Sequence, residues 1–205
     1  MKKDLVRLAT VCLITALSSP SHASLFINEF HYDNSGVDAN EGIEIAGIAG
    51  TDLTGYSLLL YNGSNGSVYD NIALEGVIEN QGQNYGALFF ATGLQNGPDG
   101  IALTDPDGNV LQFISYEGAF AATEGAAVGQ FSVDIGLFEA PDTAPGMSLQ
   151  LTGPHPDKFE WVVGLASSGL LNTGQGFGSP VPIPAALPLL ASSLALVGLF
   201  RRRRA

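Results

Sequence analysis

The chain has 205 residues, of which 45% are hydrophobic, and its formal net charge is −12 at pH 7. Of the twenty acidic residues, all but Asp4 lie between residues 24 and 178, whereas Lys158 is the only basic residue there. The segment 24–178 therefore has nineteen acids and one base, a formal charge of −18. Such a surface repels phosphate groups, and no direct binding to nucleic acid is expected. The only cysteine, Cys12, lies near the N-terminus, so the rest of the chain depends for stability on its core or on bound metal.

The first 23 residues have the layout of a secretory signal. Basic residues among the first seven precede an apolar run from Leu8 to Leu17, and small residues lie just before Ala23. The run is too short to span a bilayer comfortably, which argues against an uncleaved anchor. We therefore expect export, with cleavage by signal peptidase after Ala23.

A series of short strands is predicted downstream, because apolar and β-branched residues recur in short runs separated by turn residues. The predicted strands are 25–32, 42–46, 56–61, 68–74, 87–91, 101–104, 110–116, 147–151 and 159–163. Tight turns are predicted at the dipeptides Asn62-Gly63, Asn65-Gly66, Asp99-Gly100 and Asp107-Gly108. No sustained helical period occurs between residues 24 and 178, so we expect one all-β domain there, a sandwich or a barrel.

The loop after the first predicted strand is a candidate calcium site, because it is dense in the hard oxygen ligands that Ca²⁺ prefers. Its candidate ligands are Asp33, Asn34, Asp38 and Glu41. The alternative is an ordinary polar loop, in which Asp and Asn side chains bind nearby backbone groups. Both readings stay open, and Ca²⁺ is the one cofactor that the sequence suggests. Glu29 and Glu44, on the flanking strands, are predicted to be structural or partly exposed.

Recognisable catalytic motifs are absent from the sequence between residues 24 and 178. His31 and His155 are the only histidines there, and neither a Gly-x-Ser-x-Gly nor a His-Glu-x-x-His pattern occurs. Residues 105–109 are predicted to be a hairpin connection, since an EF-hand would have its glycine later and a distal glutamate. We therefore expect no enzyme, although a pair of glycosidase carboxylates among so many acids stays open.

The C-terminal part, residues 179–205, contains an apolar run from Ile183 to Phe200 of about the length that spans a bilayer. A cluster of four basic residues follows it directly: Arg201, Arg202, Arg203 and Arg204. Basic residues beside a membrane helix are retained in the cytoplasm. The sequence thus predicts one hydrophobic helix, with the cytoplasmic C-terminus on one side and the domain on the other.

The same region resembles a known sorting signal, the VPLPA variant of the PEP-CTERM signal. The resemblance lies in the short motif Val181, Pro182, Ile183, Pro184 and Ala185, followed by the apolar run and the arginines. In that family an exosortase cuts near the motif and transfers the protein to the cell surface or extracellular matrix. The resemblance implies an exosortase as processing partner and a transient membrane anchor. A plain single-span tail anchor is the alternative.

The domain itself resembles the bacterial lamin tail family in several motifs that occur in order. These are FINEF (26–30), EGIEI (41–45), DLTGYSL (52–58), LQNGPDGIAL (94–103), FISYEG (113–118), SLQLTG (148–153) and LNTGQ (171–175). Tyr56 replaces the usual tryptophan of the third motif. The resemblance implies an immunoglobulin-like β-sandwich, a fold found in bacteria as a non-catalytic module beside secreted nuclease, phosphatase or protease domains.

These features together predict a signal peptide (1–23), a lamin tail-like sandwich (24–178) and a sorting segment (179–205). The expected function is that of a non-catalytic cell-surface or matrix protein, which acts in adhesion or in binding extracellular polysaccharide or surface proteins. The alternative is an accessory module of a secreted hydrolase system, or such a nuclease or phosphoesterase itself.

Overall fold

The structure is a computed structural model that describes residues 25–178. The predicted cleavage at Ala23, the sorting motif from Val181 to Ala185 and the arginine cluster lie outside the described residues. Between residues 25 and 178, no helix is long and apolar enough to cross a membrane.

The described part is all-β, with ten strands in two five-stranded sheets. The strands are β1 (Leu25–His31), β2 (Gly42–Ile48), β3 (Ser57–Asn62), β4 (Ser67–Ala73), β5 (Tyr85–Ala91), β6 (Asp99–Thr104), β7 (Val110–Tyr116), β8 (Val133–Asp134), β9 (Met147–Thr152) and β10 (Glu160–Leu165). The first sheet has the order β10-β9-β1-β2-β5, and the second has the order β4-β3-β6-β7-β8. All pairings are antiparallel except the one between β7 and β8.

The two sheets pack face to face around one apolar core, as in a β-sandwich. Alternate residues of β1 and β2, such as Ile27, Ile43 and Ile45, meet alternate residues of β3 and β6, such as Leu58 and Leu103. The expectation of an all-β domain is confirmed. The nine predicted strands are all present, and only the two-residue β8 has no counterpart in the sequence-based prediction.

One predicted turn is wrong, because Asp99 and Gly100 begin strand β6 and pair with Tyr116 and Ser115 of β7. The dipeptide lies after a loop and not between two strands that it could connect. The hairpin predicted at residues 105–109 is confirmed, since the backbone N–H of Asp105 donates to the carbonyl of Asn109 across it.

Both outer faces of the sandwich are covered by irregular chain. Residues 118–132 lie over the second sheet, where Phe120 and Ala127 pack against Tyr61 and Phe113. Residues 166–178, hereafter the strap, cross the first sheet. There Phe177 of the strap joins a second apolar cluster of the sheet. Strands β1 and β2 are therefore buried on both faces.

The strap ends near the point where β1 begins. Leu25 pairs with Gly47 of β2, which pairs with Gly86 of β5. At this same end of the sheet, the ring of Phe177 stacks on Tyr85 with centroids 4.2 Å apart. The described chain thus enters and leaves at one end of the sandwich. The opposite end, hereafter the loop end, carries the β1–β2 loop.

Candidate functional site

The β1–β2 loop is held at the loop end by its own polar side chains. Asn34 is buried, and its Oδ1 accepts hydrogen bonds from the backbone N–H of Ala39 at 3.1 Å and from Nε2 of His31 at 3.1 Å. Its amide nitrogen donates to the carbonyls of Ser35 and Val37. These four bonds fix the orientation of the Asn34 amide, with oxygen towards the histidine.

A buried ion pair lies directly beneath this loop. Nδ1 of His31 is 2.8 Å from Oε1 of Glu139, and both side chains are almost wholly inaccessible to solvent. The second oxygen of Glu139 accepts the backbone N–H groups of Tyr32 and Asp33, at 2.7 and 3.0 Å. Glu139 therefore ties the segment between β8 and β9 to the end of β1.

The hydrogen bonds of His31 require a doubly protonated ring. Its Nε2 faces the acceptor oxygen of Asn34 and its Nδ1 faces the carboxylate of Glu139, so both nitrogens must donate. The bond to Glu139 is the main cause that raises the pKa of His31 above its ordinary value, against the opposing effect of burial. In this state the imidazolium has no free nitrogen to act as a base.

The four candidate calcium ligands are spread over this end of the domain. Asp33 and Asn34 are buried, Asp38 is exposed, and Glu41 is half-buried directly before β2. Oε2 of Glu41 already accepts the backbone N–H of Leu94 at 2.6 Å. No group of three or more His, Cys, Asp or Glu side chains within residues 25–178 is arranged to hold a metal ion. The calcium site therefore stays a prediction.

Burial and like charge raise the pKa of Asp33, with desolvation the larger cause and Asp38 the next. Asp99 lies on a neighbouring strand end, where its Oδ1 accepts the backbone N–H of Gly63 at 2.9 Å and its Oδ2 is buried with no partner. Burial raises the pKa of Asp99 to about 6. The loop end therefore concentrates acidic groups whose neutral form is favoured by their surroundings.

A cavity of about 300 Å³ opens beside the ion pair at the outer face of the first sheet. Its walls include His31, Glu41, Phe89, Met147 and Ser168, which come from five different parts of the chain. This volume lies at the lower limit of small-ligand pockets. An aromatic ring, a thioether and one carboxylate could hold a small sugar or an organic cation.

Glu29 and Glu44 lie beneath the strap, whose residue Ser168 lines this cavity. Of the two alternatives expected for them, structural or partly exposed, partial exposure is excluded, since their exposed fractions are 1% and 0%. The strap covers this face of the sheet, and its backbone and hydroxyl groups hydrogen-bond both carboxyl groups.

Sequence reasoning missed Glu139 and the strap residues Asn172 and Gln175 as parts of buried polar clusters. Glu139 lies in an irregular segment more than 100 residues from His31 and matches no motif. One acid among the nineteen between residues 24 and 178 carries no local signal of pairing.

No family model matches the chain, and neither the curated proteins nor the solved structures include a significant match to it.

Proposed function

We propose that this chain is a non-catalytic, exported surface or matrix protein, whose β-sandwich binds extracellular polysaccharide or surface proteins. The observation that carries the proposal is the state of the buried acid–base groups. His31 has both nitrogens engaged, and its carboxylate partner Glu139 accepts two further backbone donors. A residue so fully bonded stabilises a loop and offers neither a general base nor a nucleophile.

The resemblance to the lamin tail family supports an immunoglobulin-like variant of the sandwich. The resemblance to VPLPA-type signals supports processing by an exosortase after export by signal peptidase. Under this proposal the protein is anchored transiently through its C-terminal helix and is then transferred to the cell surface or matrix.

The positions of residues 25 and 178, where the described segment begins and ends, fit display outside the cell. Both lie at one end of the sandwich, while the cavity and the acidic β1–β2 loop lie at the other. An attachment through the C-terminal segment would therefore leave the loop end facing outwards. We propose the cavity as the contact for a partner of the matrix.

Binding and catalysis are tested together on the purified full-length chain in detergent. We expect retention on extracellular polysaccharide, weakened by Phe89→Ala in the cavity wall. The control is Val77→Ala, an exposed apolar residue outside the cavity lining. Hydrolysis of DNA, glycan or phosphoester that one carboxylate substitution abolishes would contradict the proposal and favour the hydrolase alternative.

Sorting is tested by the mass of the protein produced in an exosortase-bearing bacterium. Loss of the residues after about Ala185 is expected. An intact C-terminus in the membrane fraction would instead show a permanent tail anchor.

A further inference from the structure

Two buried glutamates lie side by side under the strap. Glu29 on β1 and Glu44 on β2 are direct cross-strand partners, so their side chains share one face of the sheet. A register shift between Ile27 and Glu29 accompanies this pairing and places Asn28 within reach of Glu44. The face that they share is the outer one, which the strap covers.

The strap binds this face through hydrogen bonds to both carboxyl groups. The backbone N–H of Gly169 donates to Oε2 of Glu44 at 2.6 Å, and the backbone N–H of Ser167 donates to Glu29 at 3.1 Å. Asn172 spans two strands, since its amide nitrogen donates to the carbonyls of Asn28 and Leu151. Two glutamines before β5 bind the backbone of the strap as well.

Counting protons shows that Glu29 is a neutral acid in this arrangement. Because the amide nitrogen of Asn172 donates twice, its Oδ1 must be the acceptor for Oγ of Ser167, which lies 2.6 Å away. The single hydroxyl proton of Ser167 is therefore used. Oγ of Ser167 is also 2.8 Å from Oε2 of Glu29, and the proton in that bond must come from Glu29.

No unpaired cationic group of the described residues lies near Glu29 and Glu44 to balance the charge if both were ionised. On β1 the nearest titratable group is His31, which is paired with Glu139; on β2 it is Glu44. Neither β9 nor the strap contains a charged residue, and Glu160 of β10 pairs with Thr152 at the far end of the sheet. Burial raises the pKa of Glu29 and raises that of Glu44 to about 8.

We propose that the strap is a pH-responsive latch, which stays docked while Glu29 holds its proton and loosens when Glu29 and Glu44 are both ionised. Ionisation removes the donor to Ser167 and places two like charges on adjacent strands under cover. The direction of the pH dependence of docking follows from the linkage between proton binding and docking. Because both groups bind protons more tightly when the strap is docked, docking is strongest below their ordinary pKa and weakens as the pH rises through the raised values.

The latch has a consequence for processing, which rests on the proposed function. Only residues 179 and 180 separate the strap from the motif that begins at Val181. Three extended residues reach about 10 Å, so while the strap is docked the chain allows Val181 to be no more than about 10 Å from the end of the strap. Release would add thirteen residues and about 45 Å of reach, and would open the motif to an enzyme at the membrane.

The test is hydrogen–deuterium exchange of the full-length chain in detergent, followed by mass spectrometry of peptides from the strap and from β2. Expressed as protection factors, which correct for the intrinsic effect of pH, strap protection should fall by up to about tenfold per pH unit for each titrating group between about pH 5 and 8, and should level off above that. Protection of β2 should stay unchanged. The single tryptophan, Trp161, packs against the cluster that contains Phe177, so its fluorescence should report the same transition.

Two substitutions make the test specific. Glu29→Gln keeps a neutral donor towards Ser167, so strap protection should fall less steeply with pH, leaving only the contribution of Glu44, whereas Glu160→Gln, on the exposed end of β10, should behave as the unmodified protein. A strap whose protection is flat with pH in the unmodified protein, or is lost together with that of β2, overturns the latch. Exchange needs no sorting enzyme, so an uncut tail would refute the proposed processing and leave the latch intact.

Discussion

Two buried amide groups constrain where the protons lie on neighbouring titratable residues of this domain. The amide of Asn34 is oriented by donors and acceptors of its own loop, and it forces a proton onto Nε2 of His31. The amide of Asn172 acts in the same way on Ser167 and thereby on Glu29. Uncharged neighbours thus constrain where the protons lie, in addition to the effects of burial and of the Glu139 carboxylate.

At the residue scale, Glu139→Gln should lower the free energy of unfolding by about 3–5 kcal/mol at mildly acidic pH, because it leaves a buried imidazolium without its anion. The single oxygen of the new amide could replace only one of the two carboxylate oxygens, so its NH2 would face either Nδ1 of His31 or the N–H groups of Tyr32 and Asp33. Urea denaturation measures the loss. The pKa of His31 is raised, so the pair stabilises the fold below the ordinary histidine pKa, and the difference should narrow as pH rises through the raised value.

The control for this prediction is Asp142→Asn, an exposed acid of the same segment. It should change stability by less than about 0.5 kcal/mol. Equal effects of the two substitutions would show that the loss comes from net charge and not from the pair.

At the element scale, the turn between β3 and β4 packs against a distant segment of the chain, and the two backbones lie very close together. Gly66 ends the turn between β3 and β4 with φ of +74°, and a methyl carbon there would lie 2.2 Å from the carbonyl oxygen of Ala121. The backbone N–H of Thr123 donates to the carbonyl of Gly66 at 2.8 Å. Glycine at this position therefore lets the turn bind the segment that covers the second sheet.

Gly66→Ala should destabilise the domain more than Gly108→Ala. Both positions have positive φ, but Gly108 has no atom within 4 Å of an added methyl carbon. The shared backbone strain costs about 1 kcal/mol, and the clash at residue 66 should add about 1–3 kcal/mol. Midpoints of urea denaturation compare the two variants, and equal losses would show that the close approach is unimportant.

At the scale of the whole molecule, the domain combines a charge of −18 with the absence of disulfides between residues 24 and 178. Self-repulsion of this size opposes the compact state, and a bound cation would relieve it. Several of the acidic groups concentrate at the loop end, where the sequence predicts a calcium site.

Calcium should therefore raise the melting temperature of the full-length chain, measured first in chelator and then across a calcium series. A site that binds only the folded state adds about 2.7 kcal/mol at a hundredfold excess over Kd, which corresponds to a rise of several degrees. The rise should be abolished in the double variant Asp33→Asn with Asp38→Asn. It should be unchanged in the control double variant Asp105→Asn with Asp107→Asn, which lies in the hairpin between β6 and β7. A rise that sodium reproduces at equal ionic strength would contradict a specific site.

Local patterns were sufficient to predict the all-β fold and the position of nearly every strand. Alternation and turn residues act over two to six positions, so the strands from β1 to β7 could be located from their own residues. Asp99-Gly100 shows the limit of such rules, since a turn dipeptide also serves as the start of a strand when its partners lie elsewhere.

Burial of the polar residues was decided by tertiary structure alone. Glu29 and Glu44 occupy strand positions that would face solvent in a two-layer sandwich, and only the strap, more than 120 residues away in sequence, makes them buried acids. His31 and Glu139 are likewise joined across 108 positions. The sequence determines which groups can titrate, while the chain that covers them sets the dielectric surroundings and hydrogen-bond partners, and hence their charge.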